Sequence, residues 1–519
     1  MQITRRNFMK TGAVLTCAST AFAEAAAPKD KVNILIIHAD QHRMECLGAY
    51  GNKDIRTPNI DALAAEGVCY ENSFCPYPVC TPSRYSLLCG QYVHQHRGWN
   101  NHCTLAPEIP TFPKLLRDAG YNTEAVGKMH FTPTYLDVGF DKMTLAEQNG
   151  PGRWDDDYHR ELMAAGLVDV NDLEDQLQEY RRHARPEYWE HFGALPSNLP
   201  EEWHTTSWIG KHAVAALENW GDSGNLLMAG FVKPHHPFES PEDRFNDYDP
   251  ATLTLLPGWT TSCLERDLKQ SRGYFPHKDL SEEALRRVMA AYYATIEHID
   301  DEVGRMITTL KAKGLYDNTM IIYTSDHGEY MGFHHMLLKG NFPYDPLMKV
   351  PLIIKYPKDA GIPGGQVSSA LVNNVDLAPT ILQQAGLAPA AAMQGINLAN
   401  TKDGHDTVFC EVSRDMIAVA RNRTRKLIFS ARTDATLFFD LEKDPTELHD
   451  CSEDPAYKEE LAAMKKTLLA WRPKKIRPDI YLDENAPVIN QPNVPPQDNS
   501  HREEIIAWYD AKMKEALDF

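Results

Sequence analysis

The sequence has no apolar run long enough to cross a bilayer and no surplus of positive charge. Beyond a mildly apolar stretch at residues 11–21, no segment approaches the roughly 20 apolar residues that a membrane-spanning helix needs. Lys and Arg number 53 against 72 Asp and Glu, which gives a formal charge of −19. Nucleic-acid binders normally carry a basic face. We therefore expect no stable membrane anchor and no nucleic-acid partner.

Regular cysteine spacing and internal repeats are also missing. The ten cysteines follow no framework-like pattern, so a disulfide scaffold is not indicated. With 519 residues, the chain is long enough for one large core and a smaller domain, and a core of that size needs no cross-links. We expect a globular protein whose thiols are mostly free and buried.

The first thirty residues have the composition of an export signal. TRRNFMK at residues 4–10 resembles a twin-arginine motif, and AFA at residues 21–23 offers a small-residue cleavage site. We therefore expect the twin-arginine export machinery as a partner, and a periplasmic or secreted location.

Three continuous apolar runs are each followed by polar side chains. The runs are residues 32–39, 226–232 and 319–325, and the polar residues beyond them include Asp40 and Gln41, His235, and Asp326 and His327. Strands that are apolar on both faces belong inside a parallel sheet covered by helices, where chemistry gathers at the carboxyl ends of the strands. The sequence predicts an α/β fold with a large mixed, mostly parallel sheet sandwiched by helices.

Residues 80–90, CTPSRYSLLCG, combine a cysteine with the start of a helix. Pro82 fits the first turn of a helix, where its missing N–H costs nothing. Helix starts favour anions, because free N–H groups point at them, and Arg84 adds a fork of donors suited to a tetrahedral oxyanion. Alone, the pattern fits either a nucleophile beside an anion pocket or a buried cysteine before an ordinary helix.

A longer match favours the nucleophile. CTPSR at residues 80–84 resembles the first signature of type I sulfatases, Cys-x-Pro-Ser-Arg, in which the cysteine is oxidised enzymatically to formylglycine. GYNTEAVGKMH at residues 120–130 resembles the second signature of the same family. The resemblance, from about residue 32 to about residue 450, is to formylglycine-dependent sulfatases of the alkaline-phosphatase-like superfamily.

The resemblance implies a catalytic site assembled from distant parts of the chain. A formylglycine-generating maturase would modify Cys80, and one hydroxyl of the hydrated aldehyde would attack sulfur while the second later expels sulfate. The other implied catalytic residues are Arg84, Lys128 and Lys339, which hold sulfate oxygens, His235, which protonates the leaving group, and His130, which acts as the base in sulfate release. His236, His334 and His335 match no catalytic position, and Phe333 stands where relatives often have an acid.

The resemblance also implies one divalent cation. Its ligands would be Asp40, Gln41, Asp326, His327 and residue 80. Three carbonyl or carboxylate donors favour Ca²⁺, whereas the nitrogen of His327 leaves Mg²⁺ or Mn²⁺ open.

We expect the substrate to be a sulfate ester on a carbohydrate, such as a glycan or polysaccharide fragment. Export, the habits of the family and an aromatic-rich segment at residues 144–202, extending to Trp203 and Trp208, favour this substrate. A phosphonate or phosphate diester hydrolase could share the formylglycine and the metal residues. A non-catalytic glycan-binding relative is a further alternative, but every expected catalytic position is retained.

Beyond residue 400 the hydrophobic pattern changes. Short alternating segments at residues 407–412, 416–421, 426–429 and 437–440, with a helix near residues 456–471, predict a small antiparallel sheet with one helix. We divide the chain into a signal peptide (1–30), a catalytic domain (31–400), a C-terminal α+β subdomain (401–475), and an extended tail with a short helix (476–519).

Overall fold

The structure is a computed structural model that describes residues 31–148, 151–268, 275, 277–340, 342–412, 417–431, 435–472 and 502–519. The expected export signal and most of the extended tail lie outside these residues. Among the helices that are described, none combines the length and the apolar character that crossing a membrane requires.

An eight-stranded sheet forms the centre of the molecule. Its strands are β1 (Asn33–Ala39), β2 (Val68–Phe74), β3 (Asn122–Gly127), β4 (Lys142–Leu145), β5 (Asn225–Phe231), β6 (Thr319–Ser325), β7 (Leu352–Lys355) and β8 (Gln366–Asn373). They lie in the order β4-β3-β5-β1-β6-β7-β2-β8, and β7 runs antiparallel to β6 and β2 while the other neighbouring strands are parallel. The predicted large, mixed and mostly parallel sheet is confirmed.

The three apolar runs lie side by side in the middle of this sheet. Ile36 of β1 pairs with Met228 of β5 on one side and with Ile322 of β6 on the other. Because successive side chains of a strand point to opposite faces, Leu35 packs into one hydrophobic cluster and Ile36 into another. The residues that follow β1, β5 and β6 therefore meet at one edge.

Helices cover both faces of the sheet. The α-helices of the described residues are α1 (Pro58–Glu66), α2 (Cys80–Cys89), α3 (Val93–His96), α4 (Phe112–Asp118), α5 (Asp157–Ala164), α6 (Val170–Gln176), α7 (Gln178–Arg181), α8 (Pro186–Glu190), α9 (Thr205–Glu218), α10 (Glu242–Phe245), α11 (Glu265–Leu268), α12 (Glu282–Ala312), α13 (Asp345–Met348), α14 (Leu377–Gln384), α15 (Lys458–Trp471) and α16 (Arg502–Leu517). Residues of α1, α9 and α12 share one cluster, and those of α2, α4 and α14 share the other.

The segment 144–202 differs from expectation. The sequence pattern predicts one helix over residues 162–182, but the structure has three short helices, α5, α6 and α7. Gly166 follows the end of α5 and has a φ of 73°. This is the left-handed conformation, which glycine adopts at little cost and which ends the helix. Asp169 then caps α6 by accepting a hydrogen bond from the backbone N–H of Asp172 at 3.0 Å.

Two tryptophans of the aromatic-rich segment are core residues. Trp208 is 1% exposed and packs against Tyr158, and Trp154 is 8% exposed and packs against Tyr509. Because they are buried, these two rings are not available to contact a carbohydrate. Trp189, at 37%, stays exposed.

A second, four-stranded antiparallel sheet follows. It consists of β9 (Val408–Val412), β10 (Ile417–Arg421), β11 (Arg425–Ser430) and β12 (Ala435–Asp440), in the order β12-β11-β10-β9. Met464 and Leu468 of α15 pack against Phe438 of this sheet. The predicted small antiparallel sheet with one helix is confirmed.

Candidate active site

Cys80 is the first residue of α2 and is fully buried. Its Sγ lies 3.3 Å from Lys339 Nζ, 3.4 Å from His327 Nε2 and 3.7 Å from Asp40 Oδ1. Burial and Asp40 oppose ionisation of the thiol. The charges of Lys339 and Lys128 nevertheless hold the pKa of Cys80 well below its usual value.

Four candidate metal ligands come together beside this thiol. Atoms of Asp40, Cys80, Asp326 and His327 all lie within 4.8 Å of one another, and all four residues are buried. Asp40 follows β1, and Asp326 and His327 follow β6, so the adjacent strands of the sheet bring them together. This group could bind a metal ion.

Gln41 provides an independent test of the fit to a cation. Its amide Oε1 is buried and has no hydrogen-bond partner among the described residues. A buried carbonyl oxygen without a partner is costly unless something binds it. Together with the two carboxylates, this free oxygen makes the donor set fit a hard divalent cation.

Arg84 and Lys128 neutralise the two carboxylates. Arg84 donates to Asp40 Oδ2 at 2.9 Å and to Asp326 Oδ2 at 3.0 Å, while Lys128 Nζ lies 2.9 Å from Asp40 Oδ2. Burial raises the pKa of Asp40, but Lys128, His235 and Arg84 outweigh it and hold that pKa well below its usual value. Asp40 therefore stays ionised at neutral pH.

His130 is held at the end of the second signature. Its backbone has a φ of 58°, and Glu147 accepts hydrogen bonds from the N–H groups of Met129 and His130 at 3.1 and 2.8 Å. The backbone carbonyl of His130 accepts a hydrogen bond from Thr81 Oγ1 at 2.8 Å, which connects His130 to the start of α2. The buried Nδ1 of its ring has no partner in the described part of the chain.

His235 and Lys339 form a second pair beside residue 80. His235 Nδ1 lies 2.7 Å from the carbonyl of His236, and its Nε2 lies 3.0 Å from Lys339 Nζ. A neutral His235 therefore donates from Nδ1 and accepts from the ammonium at Nε2. Burial and the Lys339 charge keep the pKa of His235 well below its usual value.

The segment 144–202 also reaches the site, through residues that the sequence did not single out. Gln148 accepts from Lys128 Nζ at 2.9 Å and donates to the carbonyl of His236 at 2.8 Å. Asp175 of α6 lies 2.6 Å from His236 Nδ1, and the His236 ring stacks on His235 with centroids 4.2 Å apart. These residues belong to no motif, and only the fold brings them to the two histidines.

His334 and His335 have structural partners. His334 lies 3.1 Å from Asp267 and 2.7 Å from the carbonyl of Thr446, and His335 stacks on Trp259.

The structure brings all ten predicted site residues to one edge of the sheet. Glu147, Gln148, Asp175 and Glu329 were missed by the sequence analysis, and the one local signal for Glu329 was its position two residues after His327.

Comparison with known proteins identifies the family. Residues 32–387 match the model of the sulfatase family, and residues 332–474 match that of the C-terminal part of N-sulphoglucosamine sulphohydrolase. The chain belongs to the sulfatase family and is a sulfuric ester hydrolase.

Individual relatives span most of the chain. An arylsulfatase of Clostridium perfringens is 30% identical over 474 residues, covering 85% of this chain and 94% of the relative. An N-acetylglucosamine-6-O-sulfatase of Bacteroides thetaiotaomicron is 28% identical, covering 74% of each. The structure of a phosphonate monoester hydrolase of Agrobacterium radiobacter superimposes with a TM-score of 0.71 at 24% identity, covering 85% of this chain and 95% of that one, which shows the shared fold.

Proposed function

We propose that this sulfatase removes sulfate from a carbohydrate, using formylglycine at position 80 and one divalent cation. The observation that carries the proposal is the meeting of Cys80 with Lys339, His327 and Asp40 at the carboxyl ends of β1 and β6. A nucleophile beside cations and a metal-ligand group is what cleavage of a shielded anionic ester needs.

The cation would be held by the five ligands inferred from the sequence. These are Asp40, Gln41, Asp326, His327 and residue 80, with Ca²⁺ as the first choice and Mg²⁺ or Mn²⁺ as alternatives. When bound, the cation polarises the attacking oxygen and neutralises charge on the sulfate.

The surrounding side chains divide the remaining work. Arg84, Lys128 and Lys339 would donate hydrogen bonds to the sulfate oxygens. The His235–Lys339 pair supplies the proton that the leaving alcohol oxygen takes up as its bond to sulfur breaks. His130 accepts a proton when sulfate is released from residue 80.

Maturation and export are part of the same proposal. Oxidation of Cys80 to formylglycine requires a formylglycine-generating maturase, and the intact CTPSR sequence supports this partner. TRRNFMK at residues 4–10 supports export by the twin-arginine machinery to the periplasm or the medium.

The carbohydrate part of the proposal is supported by the similar N-acetylglucosamine-6-O-sulfatase. A second candidate function is the hydrolysis of a phosphonate or phosphate diester. The specific observation in its favour is that Arg84, Lys128 and Lys339 would suit any tetrahedral oxyanion.

The test is a screen of the purified, maturase-treated protein against defined sulfated saccharides, aryl sulfates and phosphonate monoesters. We expect formylglycine at position 80 by peptide mass spectrometry and the highest kcat/KM on a sulfated saccharide. Cys80→Ser should fold normally and lose turnover, whereas Cys89→Ala, on the same helix, should keep it. A preference for phosphonate monoesters, or full activity with an unmodified thiol, would overturn the proposal.

A further inference from the structure

Glu329 is a buried carboxylate with no role in the reaction proposed above. Its side chain is fully enclosed, two residues beyond His327. One oxygen, Oε1, accepts hydrogen bonds from the backbone N–H groups of Met331, at 3.1 Å, and of Leu338. The other oxygen, Oε2, accepts a hydrogen bond from Gln41 Nε2. Three donors thus converge on one carboxylate.

The contact with Gln41 decides which end of that amide faces the metal-ligand group. An amide presents either an oxygen, which can bind a cation, or an NH₂ group, which cannot. Glu329 Oε2 accepts the hydrogen bond from Gln41 Nε2, so the NH₂ end of the amide is held by Glu329 and Gln41 Oε1 is left free. The Gln41 backbone is fixed independently, since its N–H donates to Asp326 Oδ1 at 3.1 Å and its carbonyl accepts from Tyr292 Oη at 2.7 Å.

The contacts with Met331 and Leu338 close the base of the loop that precedes Lys339. Met331, at a φ of 42°, and Leu338, at 65°, both have left-handed backbones, a conformation that such residues seldom adopt without support. Binding both N–H groups to one carboxylate oxygen supplies that support. Lys339 follows directly, with its Nζ 3.3 Å from Cys80 Sγ.

We propose that Glu329 is a positioning residue that aims the oxygen of Gln41 at the cation and fixes the loop that presents Lys339. The inference rests on the proposed function in so far as a cation occupies the group around Asp40. It adds a residue that neither signature contains.

The first test is Glu329→Gln in the full-length protein. The introduced amide has a single oxygen, and if that oxygen keeps the two backbone N–H groups, the new NH₂ group faces Gln41. The Gln41 amide must then rotate and turn its own NH₂ toward the cation. We expect Ca²⁺ affinity to fall by roughly 10–100-fold, the usual cost of losing a group that orients a metal ligand. Calorimetric titration of chelator-treated protein measures the affinity directly, without using activity.

A swapped pair tests the orientation itself. In the double variant Gln41→Glu with Glu329→Gln, the carboxylate introduced at position 41 offers one oxygen to the cation. Its other oxygen accepts from the NH₂ group introduced at position 329, while the amide oxygen there keeps the N–H groups of Met331 and Leu338. We expect this variant to recover most of the lost affinity. Gln41→Glu alone should not gain affinity, because it places two carboxylates in contact.

Controls separate this inference from the proposed function. Glu302→Gln changes another buried glutamate, paired with Arg305 on α12, and should leave Ca²⁺ affinity unchanged. If the unaltered protein binds no divalent cation, the proposed function fails. If it binds Ca²⁺ and Glu329→Gln binds equally tightly, the inference about Glu329 is overturned. A double variant no better than Glu329→Gln also overturns it, and melting curves without cation show whether each variant is folded.

Discussion

The two candidate acid–base histidines differ in what surrounds each ring. His235 is hydrogen-bonded at both ring nitrogens, to the carbonyl of His236 and to Lys339 Nζ. The Lys339 ammonium, which can give up a proton, therefore lies beside it. His130 is held mainly through its backbone, by Glu147 and Thr81, and its ring Nδ1 has no partner in the described residues. These surroundings support a proton supplied by the His235–Lys339 pair and an acceptor at His130.

This difference predicts opposite substrate dependence for two alanine variants. His235→Ala should lower kcat by about 10²–10⁴-fold on a sugar sulfate and much less on an activated aryl sulfate, whose leaving group departs without full protonation. His130→Ala should slow both substrates and leave sulfate attached to residue 80. Steady-state kinetics on both substrates, with mass spectrometry of the quenched protein, measures this. Equal losses for His235→Ala, with sulfate retained on the protein, would reverse the two roles.

Among the elements, those predicted well have strong local signals. β6 was predicted with its observed bounds, Thr319–Ser325, because an uninterrupted apolar run needs no tertiary information. The positions of Asp40 and Asp326 at one edge of the sheet were predictable because both directly follow such runs, and the resemblance to the family implied their role as ligands. Asp175 and Glu329 were not, because their roles arise only where α6 and the loop after β6 pack against other segments.

α16 is a further element whose position matters for the site. Tyr509 is fully buried, donates to the carbonyl of His159 at 2.7 Å, and shares a hydrophobic cluster with Val170 and Leu173 of α6. α6 also carries Asp175, which contacts His236. The C-terminal helix therefore packs against the helix that holds His236.

Tyr509→Ala should accordingly disturb large substrates more than small ones. Removing a buried aromatic ring costs about 3–5 kcal/mol of stability, and the cavity beside α6 loosens the contact between Asp175 and His236. We expect a higher KM for a sugar sulfate and a nearly unchanged KM for an aryl sulfate, with a lower melting temperature. Ile506→Ala, at a site 37% exposed on the same helix, is the control and should change none of these. Equal KM changes on both substrates would contradict the idea.

At the scale of the whole molecule, a buried ionic contact joins the large sheet's domain to the small sheet. Asp345, at the start of α13, lies 2.9 Å from Lys426 Nζ of β11 and 3.1 Å from Arg421 Nη2 of β10. Burial raises the pKa of Asp345, but Lys426 and Arg421 outweigh it and hold that pKa below its usual value. The carboxylate is therefore charged when folded, and its bonds hold the two sheets together.

Asp345→Asn should destabilise the protein in a pH-dependent way. Removing this member of the buried ionic cluster leaves Arg421 without its carboxylate partner and Lys426 with Glu447 as the remaining one, at a cost of about 3–5 kcal/mol. Because the pKa of Asp345 is lowered on folding, its contribution is fully present above the ordinary carboxyl pKa of about 4 and is lost as the pH falls below it. The difference in unfolding free energy between parent and variant should therefore be largest near pH 7 and shrink below about pH 4. Urea unfolding at several pH values measures it, with Asp317→Asn, which removes an exposed ion pair with Lys358, as a control expected to show almost no loss. A difference that is constant with pH would show that Asp345 contributes through packing rather than through its charge.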